Sequence, residues 1–142
     1  MRLLDTNVFI YAHGKAHPYR EPCRILVANL AAGPLAYTID TELLQEVMHV
    51  YDARGDRAFG LVLFDSVVEV FANPVPISGV EIRAARWLLG ESASLSPRDA
   101  IHAAVVLTHG LEGIVTTDRA FREVRGLRVF DPLDLAPKTT HP

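Results

Sequence analysis

With 142 residues, 49% of them hydrophobic, the chain has the length of one domain and enough apolar side chains to bury its own core. A single cysteine, Cys23, excludes an internal disulfide and a multi-cysteine metal site, and it suits a reducing cytoplasm. The net charge of −3 argues by itself against an RNA partner, unless clustered acids bind divalent cations that reverse the local sign.

Leu3–Leu4 reads as a short buried strand, and Asp5 interrupts the apolar opening too early for a signal peptide. Thr6 to His13 reads as a helix capped by Asp5 or Thr6 and stopped at Gly14. Pro18 to Ala32 reads as a second helix, with Pro22 near its first turn and Gly33–Pro34 as its end. Leu35 to Ile39 is a strand. Asp40 then caps a helix running to about Arg54, whose apolar face carries Leu43, Leu44, Val47, Met48, Val50 and Tyr51. Another helix runs from Asp56 to Phe71; its apolar stretch holds Asp65 and Glu69 and is too short to span a bilayer. Val75–Ile77, set among prolines, reads as a short edge strand. Ser78 caps a helix over Gly79–Leu89, and Ser96–Pro97 opens one that ends at His109 before Gly110. Ile114–Thr117 and Leu127–Phe130 are the last strands, and a polar tail follows.

Short apolar strands alternating with helices predict an α/β domain with a parallel sheet covered on both faces. Ligands of such sheets sit at the carboxyl ends of the strands. Four acids fall there or at helix starts: Asp5, Glu46, Asp99 and Asp118. Hard divalent cations take oxygen ligands, and an ion on carboxylates can activate water and hold a phosphodiester in line. Four carboxylates brought together without a cation would repel until one bound a proton. Each acid alone also reads as a cap or a solvated residue; their joint placement points to a metal site.

The residues around these acids resemble the motifs of the PIN-domain family, in its VapC-type toxin branch. Asp5–Thr6–Asn7 after the first strand resembles the opening motif, and Ile39–Glu46 the second, which ends on its acid. Leu95–Ala104 resembles the third, with Asp99 as its acid, and Ile114–Phe121 the fourth, with Asp118. Glu42, four residues before Glu46 on one helical face, is a competing ligand; the family's spacing from the strand favours Glu46. The resemblance implies a three-layer α/β/α sandwich with a mostly parallel sheet, formed by residues 1–135 as one PIN-like nuclease domain, with 136–142 as the tail. It implies a Mg²⁺- or Mn²⁺-dependent endoribonuclease, usually a homodimer, neutralised by a small antitoxin whose arginine-bearing tail enters the acidic crevice. A PIN-fold RNA-processing nuclease, or a non-catalytic RNA-binding module, without an antitoxin is the alternative. Haloacid-dehalogenase-like phosphatases also open with a strand and an aspartate, but they need a second aspartate where Asn7 stands.

Around the acids, Thr6, Asn7, Thr116 and Thr117 can orient a carboxylate or touch phosphate, or simply cap. His102 shares a helical face with Asp99 and reads as a packed histidine or a general base. Arg98, Arg119 and Arg122 are candidate phosphate contacts or solvated residues, and no histidine pair has metal-ligand spacing. Trp87, Leu88 and Leu89 belong in the core or at a dimer face, as does the apolar helix over Leu61–Phe71.

Overall fold

The computed structural model describes residues 1–33 and 36–135. The first strand, β1 (Arg2–Leu4), lies between β2 (Tyr37–Thr38) and β3 (Gly113–Val115), and β4 (Val129–Phe130) completes the sheet in the order β2-β1-β3-β4. All three pairings are parallel, with Leu3 beside Thr38 on one side and beside Ile114 on the other. Seven helices accompany them among the described residues: α1 (Thr6–Ala12), α2 (Arg20–Leu30), α3 (Thr41–Ala53), α4 (Arg57–Val70), α5 (Gly79–Glu91), α6 (Pro97–His109) and α7 (Pro132–Leu135).

Alternation along the strands builds two cores, one on each face of the sheet. Leu4 and Val115 point to the side where Val8, Phe9, Leu26, Leu43 and Val67 pack, from α1 to α4. Leu3 and Ile114 point to the other, against Leu88, Ala103 and Val106 of α5 and α6 and against Phe121. The result is the three-layer α/β/α sandwich, with a sheet that is wholly parallel.

Caps set the helix ends where the sequence places them. The Asp40 carboxylate accepts from the Leu43 amide at 3.0 Å, and the Ser96 hydroxyl accepts from the Asp99 amide at 3.2 Å. Gly110 takes the left-handed conformation at φ 62° and closes α6. Ser78 and Glu81 form a reciprocal capping box at the start of α5.

Four expectations are corrected. Val75–Ile77 is no strand: Val75 makes one parallel bridge, to Asp40, because Pro74 and Pro76 have no N–H to continue a ladder. The second helix starts at Arg20 instead of Pro18, which leaves Pro22 inside its first turn. β3 ends at Val115, so Thr116 and Thr117 separate it from Asp118, and a 3-10 turn over Arg119–Glu123 follows. The last strand is confined to Val129–Phe130, with α7 after it. Leu35, the first residue of the expected second strand, and the tail over 136–142 lie outside the described residues.

Candidate active site

β1, β2 and β3 run in parallel, so their carboxyl ends share one edge of the sheet. Asp5 leaves β1 there, Asp40 follows β2, and Thr116 to Asp118 follow β3. Asp99 comes in on the first turn of α6 and Glu46 on the second turn of α3. The four expected acids thus border one region, graded from inside to outside: Asp5 and Glu46 are buried, Asp99 is half-buried and Asp118 exposed.

Asp5 is held from three directions. Its Oδ1 accepts from the Thr6 amide at 2.7 Å, its Oδ2 accepts from the Thr116 hydroxyl at 2.7 Å, and its own amide donates to the Val115 carbonyl at 2.9 Å. Thr116 is the hub of this side. While its hydroxyl donates to Asp5, its oxygen accepts from Asn7 Nδ2 at 3.2 Å and from the Asp118 amide at 3.0 Å. That uses the whole capacity of a hydroxyl. Asn7 also accepts from the Thr117 amide at 3.4 Å, so the loop after β3 is stitched to the start of α1. Asp118 caps the 3-10 turn through the Ala120 amide at 2.9 Å. Thr6, Asn7, Thr116 and Thr117 thus bond either Asp5 or the loop that leads to Asp118.

His102 is wholly buried beneath the acids. Its Nδ1 lies 2.6 Å from Asp40 Oδ2 and its Nε2 lies 2.7 Å from Glu46 Oε1, with Asp5 Oδ1 at 3.6 Å and Thr6 Oγ1 at 3.5 Å. Both ring nitrogens face carboxylates, an arrangement that is satisfied when both carry hydrogens. Burial opposes the charged ring, but the attraction of Asp40, Glu46 and Asp5 prevails and holds the imidazole well above its usual range. Asp40 joins two jobs, capping α3 with one oxygen and binding His102 with the other. Sequence reasoning missed this second job. A lone Asp–Thr pair at a helix start signals a cap, and nothing in the spacing ties residue 40 to residue 102.

The outer acids carry negative charge with little to offset it. Burial pushes the Asp99 carboxyl up to about 7, helped by the charges of Asp5 and Asp118. Asp5 is raised by burial and by Glu46, against the pull of His102 and Thr116. Glu42 is half-buried and also raised, by burial, by Glu46 and by Asp40, with His102 and Arg98 pulling the other way. Glu42 and Arg98 thus border the same region, but the glutamate whose carboxylate reaches the His102 ring is Glu46. Among the described residues no three His, Cys, Asp or Glu side chains stand close enough together to cage an ion. The donor set is nonetheless that of a hard divalent cation: carboxylate oxygens only, crowded enough for one of them to hold a proton near neutrality.

The chain matches the PIN domain family over residues 2–127. It is 31% identical over 128 residues to Ribonuclease VapC13 of Mycobacterium tuberculosis, covering 90% of this chain and 98% of that protein. It is 34% identical over 128 residues to Ribonuclease VapC7 of the same organism, covering 87% and 86%. In fold it is similar to FitAcB from Neisseria gonorrhoeae, with a TM-score of 0.73 at 18% identity over 94% of this chain and 99% of that one. A toxin–antitoxin complex from Klebsiella pneumoniae is similar with a TM-score of 0.65 at 22% identity, over 93% and 98% of the two chains.

Proposed function

The chain belongs to the PIN-domain family, among the VapC ribonucleases, and from that premise we propose that it is a toxin endoribonuclease that hydrolyses RNA with Mg²⁺ or Mn²⁺ held by Asp5, Glu46, Asp99 and Asp118. The observation that carries the reading is the grouping of these four acids at the carboxyl edge of the sheet, none of them paired with lysine or arginine among the described residues. When bound, the ion supplies a Lewis acid that makes water nucleophilic and stabilises charge on the phosphate.

The residues of the chain do the rest. Thr116 and the Thr6 amide fix both oxygens of Asp5. His102 holds Glu46 from below and supplies positive charge under the cluster, so that the acids can gather. A carboxylate of the cluster would help take the proton of the attacking water. Glu42 stays at the rim, and Arg98 is available to a phosphate. No histidine nucleophile or covalent intermediate is needed.

Purified protein incubated with single-stranded and structured RNA should cleave with Mn²⁺ or Mg²⁺, and stop cleaving in EDTA. Asp5→Ala and Asp99→Ala should each lower the rate to background while melting like the parent protein. An unchanged rate in either variant would remove that residue from the mechanism.

The protein works in the cytoplasm and is restrained by a small antitoxin, in keeping with the toxin–antitoxin complexes among its structural neighbours. The open apolar groove bordered by Phe9, Val27, Leu30, Phe59, Val62 and Phe71 suits an apolar segment of that partner. The antitoxin's arginine-bearing tail answers the acidic cluster. Homodimerisation would cover exposed apolar side chains on α5, where Trp87 is 63% exposed beside Val80 and Ile82. Leu88, next to Trp87, is in the core, while Leu89 is exposed.

A further inference from the structure

Three aromatic rings gather between the end of α1 and the start of α2, with Tyr11 and Tyr19 packed against the rim of one core. His17 lies 4.7 Å from Tyr11 and 5.9 Å from Tyr19, nearly parallel to the latter at 12°, and Tyr11 and Tyr19 are 5.6 Å apart. The group is held in place. The Tyr19 hydroxyl donates to Asp131 Oδ2 at 2.6 Å, and the Tyr19 amide donates to His17 Nδ1 at 3.1 Å. His17 therefore keeps Nδ1 as an acceptor and presents Nε2 as a donor. His17 is exposed and both tyrosines are half-buried, so ring surface is open.

The rings adjoin the site at both ends. Asn7, Ile10 and Tyr11 share one face of α1, and with Lys15, His17 and Arg54 they line an open pocket of about 610 Å³. Asn7 is the residue bonded to Thr116, which holds Asp5. One helical turn, about 5.4 Å of rise, separates Asn7 from Tyr11. On the far side, Arg119 and Arg122 lie close enough to Tyr19 to oppose the pull of Asp131, whose bond pushes the phenol up to about 12. Arg119 is next in sequence to Asp118. In a chain with a net charge of −3, Lys15 and Arg54 thus flank Tyr11 and His17, Arg119 and Arg122 lie near Tyr19, and Tyr11 is one turn from Asn7.

Resting on the ribonuclease reading, we infer that the Tyr11–His17–Tyr19 shelf receives an unpaired base of the RNA next to the scissile phosphate, with Lys15, Arg54 and Arg119 on the flanking phosphates. Stacked aromatic rings inside a cationic groove are the general means of holding single-stranded nucleic acid. The shelf also offers a hydrogen-bond donor, the His17 Nε2–H, to the edge of a base. It would therefore help choose which nucleotide lies beside the cut.

The test uses a fluorescein-labelled single-stranded RNA of about 12 nucleotides and the same length of abasic ribose-phosphate chain. Both are titrated against full-length protein in an Asp99→Ala background that leaves the RNA uncut. His17→Ala and Tyr11→Leu should each weaken RNA binding about fivefold or more, and Tyr11→Phe should restore it. The abasic chain should bind more weakly than RNA and be indifferent to these substitutions. His17 is exposed, so His17→Ala should melt as the parent does; it remains informative if Tyr11→Leu fails to fold. Equal RNA binding by parent, His17→Ala and Tyr11→Leu would overturn the shelf, as would parent-like binding of the abasic chain. Unchanged RNA binding with loss of a co-expressed antitoxin would also overturn it and assign the rings to the protein partner. Failure of the parent to bind either chain would instead contradict the ribonuclease reading beneath it.

Discussion

His102 is wholly buried, and its ring nitrogens face Asp40 and Glu46 at the start of α3, with Asp5 close by. Removing the ring would leave Asp40 and Glu46 buried without a cation. Breaking a buried ion pair from one side costs about 3–5 kcal/mol. His102→Ala should therefore lose stability of that order in urea unfolding, and a loss below about 1 kcal/mol would contradict the charged clamp. Asp99 should behave in the opposite way. It is raised in proton affinity by burial and by the charges of Asp5 and Asp118, so replacing it should relieve both. A residue that stabilises the site and one that burdens it are thus three positions apart on one helix. Their difference lies in what each faces, which periodicity alone does not reveal: His102 and Asp99 share a helical face in the sequence, and the face proves to be the floor and the wall of one site.

At the level of elements, the helices were legible because their caps are local. Ser96, Pro97 and Gly110 bracket α6, and Ser78 starts α5. The strands were harder, since two- and three-residue strands offer little alternation to read, and Val75–Ile77 looked extended while its prolines forbade a ladder. The acids at the strand ends were legible through their motifs. The bonds made by Asp40, His102 and Thr116 were not, because they join residues 62 and 111 positions apart. Two consequences of element packing can be measured. Gly113 lies where a β-carbon would stand 2.4 Å from the Arg128 carbonyl oxygen, so β3 and β4 approach too closely for any side chain there. Gly113→Ala should force the strands apart and cost about 1–3 kcal/mol, seen as a lower melting temperature; an unchanged melt would mean that the edge strand yields freely. The second concerns the junction of α5 and α6. Glu81 bonds the Ser78 amide and hydroxyl and also His109 Nε2 at 2.8 Å, and the Ser78 bonds above all hold its carboxyl down at about 2, against an ordinary 4.5. A lowered folded-state value means that stability is present above the unfolded value and lost as pH falls through the folded one. The stability gap between the parent and Glu81→Gln should be complete above about pH 5 and shrink steadily toward pH 2. A gap that stays constant across that window would contradict the assignment.

The whole molecule separates its charges. The acids border the carboxyl edge of the sheet, while Lys15 and Arg54 line the pocket beside Tyr11 and His17 and Arg119 and Arg122 lie near Tyr19. A modestly acidic total charge is therefore compatible with an RNA substrate, because the strand meets the local arrangement of charge and not its sum. No helix among the described residues is long and apolar enough to cross a membrane. The apolar groove lies on one side of the sheet and the exposed side chains of α5 on the other. Mn²⁺ binding tests the proposed cation site without reference to any RNA. Free Mn²⁺ gives a strong electron paramagnetic resonance signal that is lost on binding, so the ion can be titrated directly against the parent protein and Asp99→Ala. The account predicts saturable binding by the parent and its loss in a variant that melts at the same temperature or higher. Equal binding by the two proteins would contradict it.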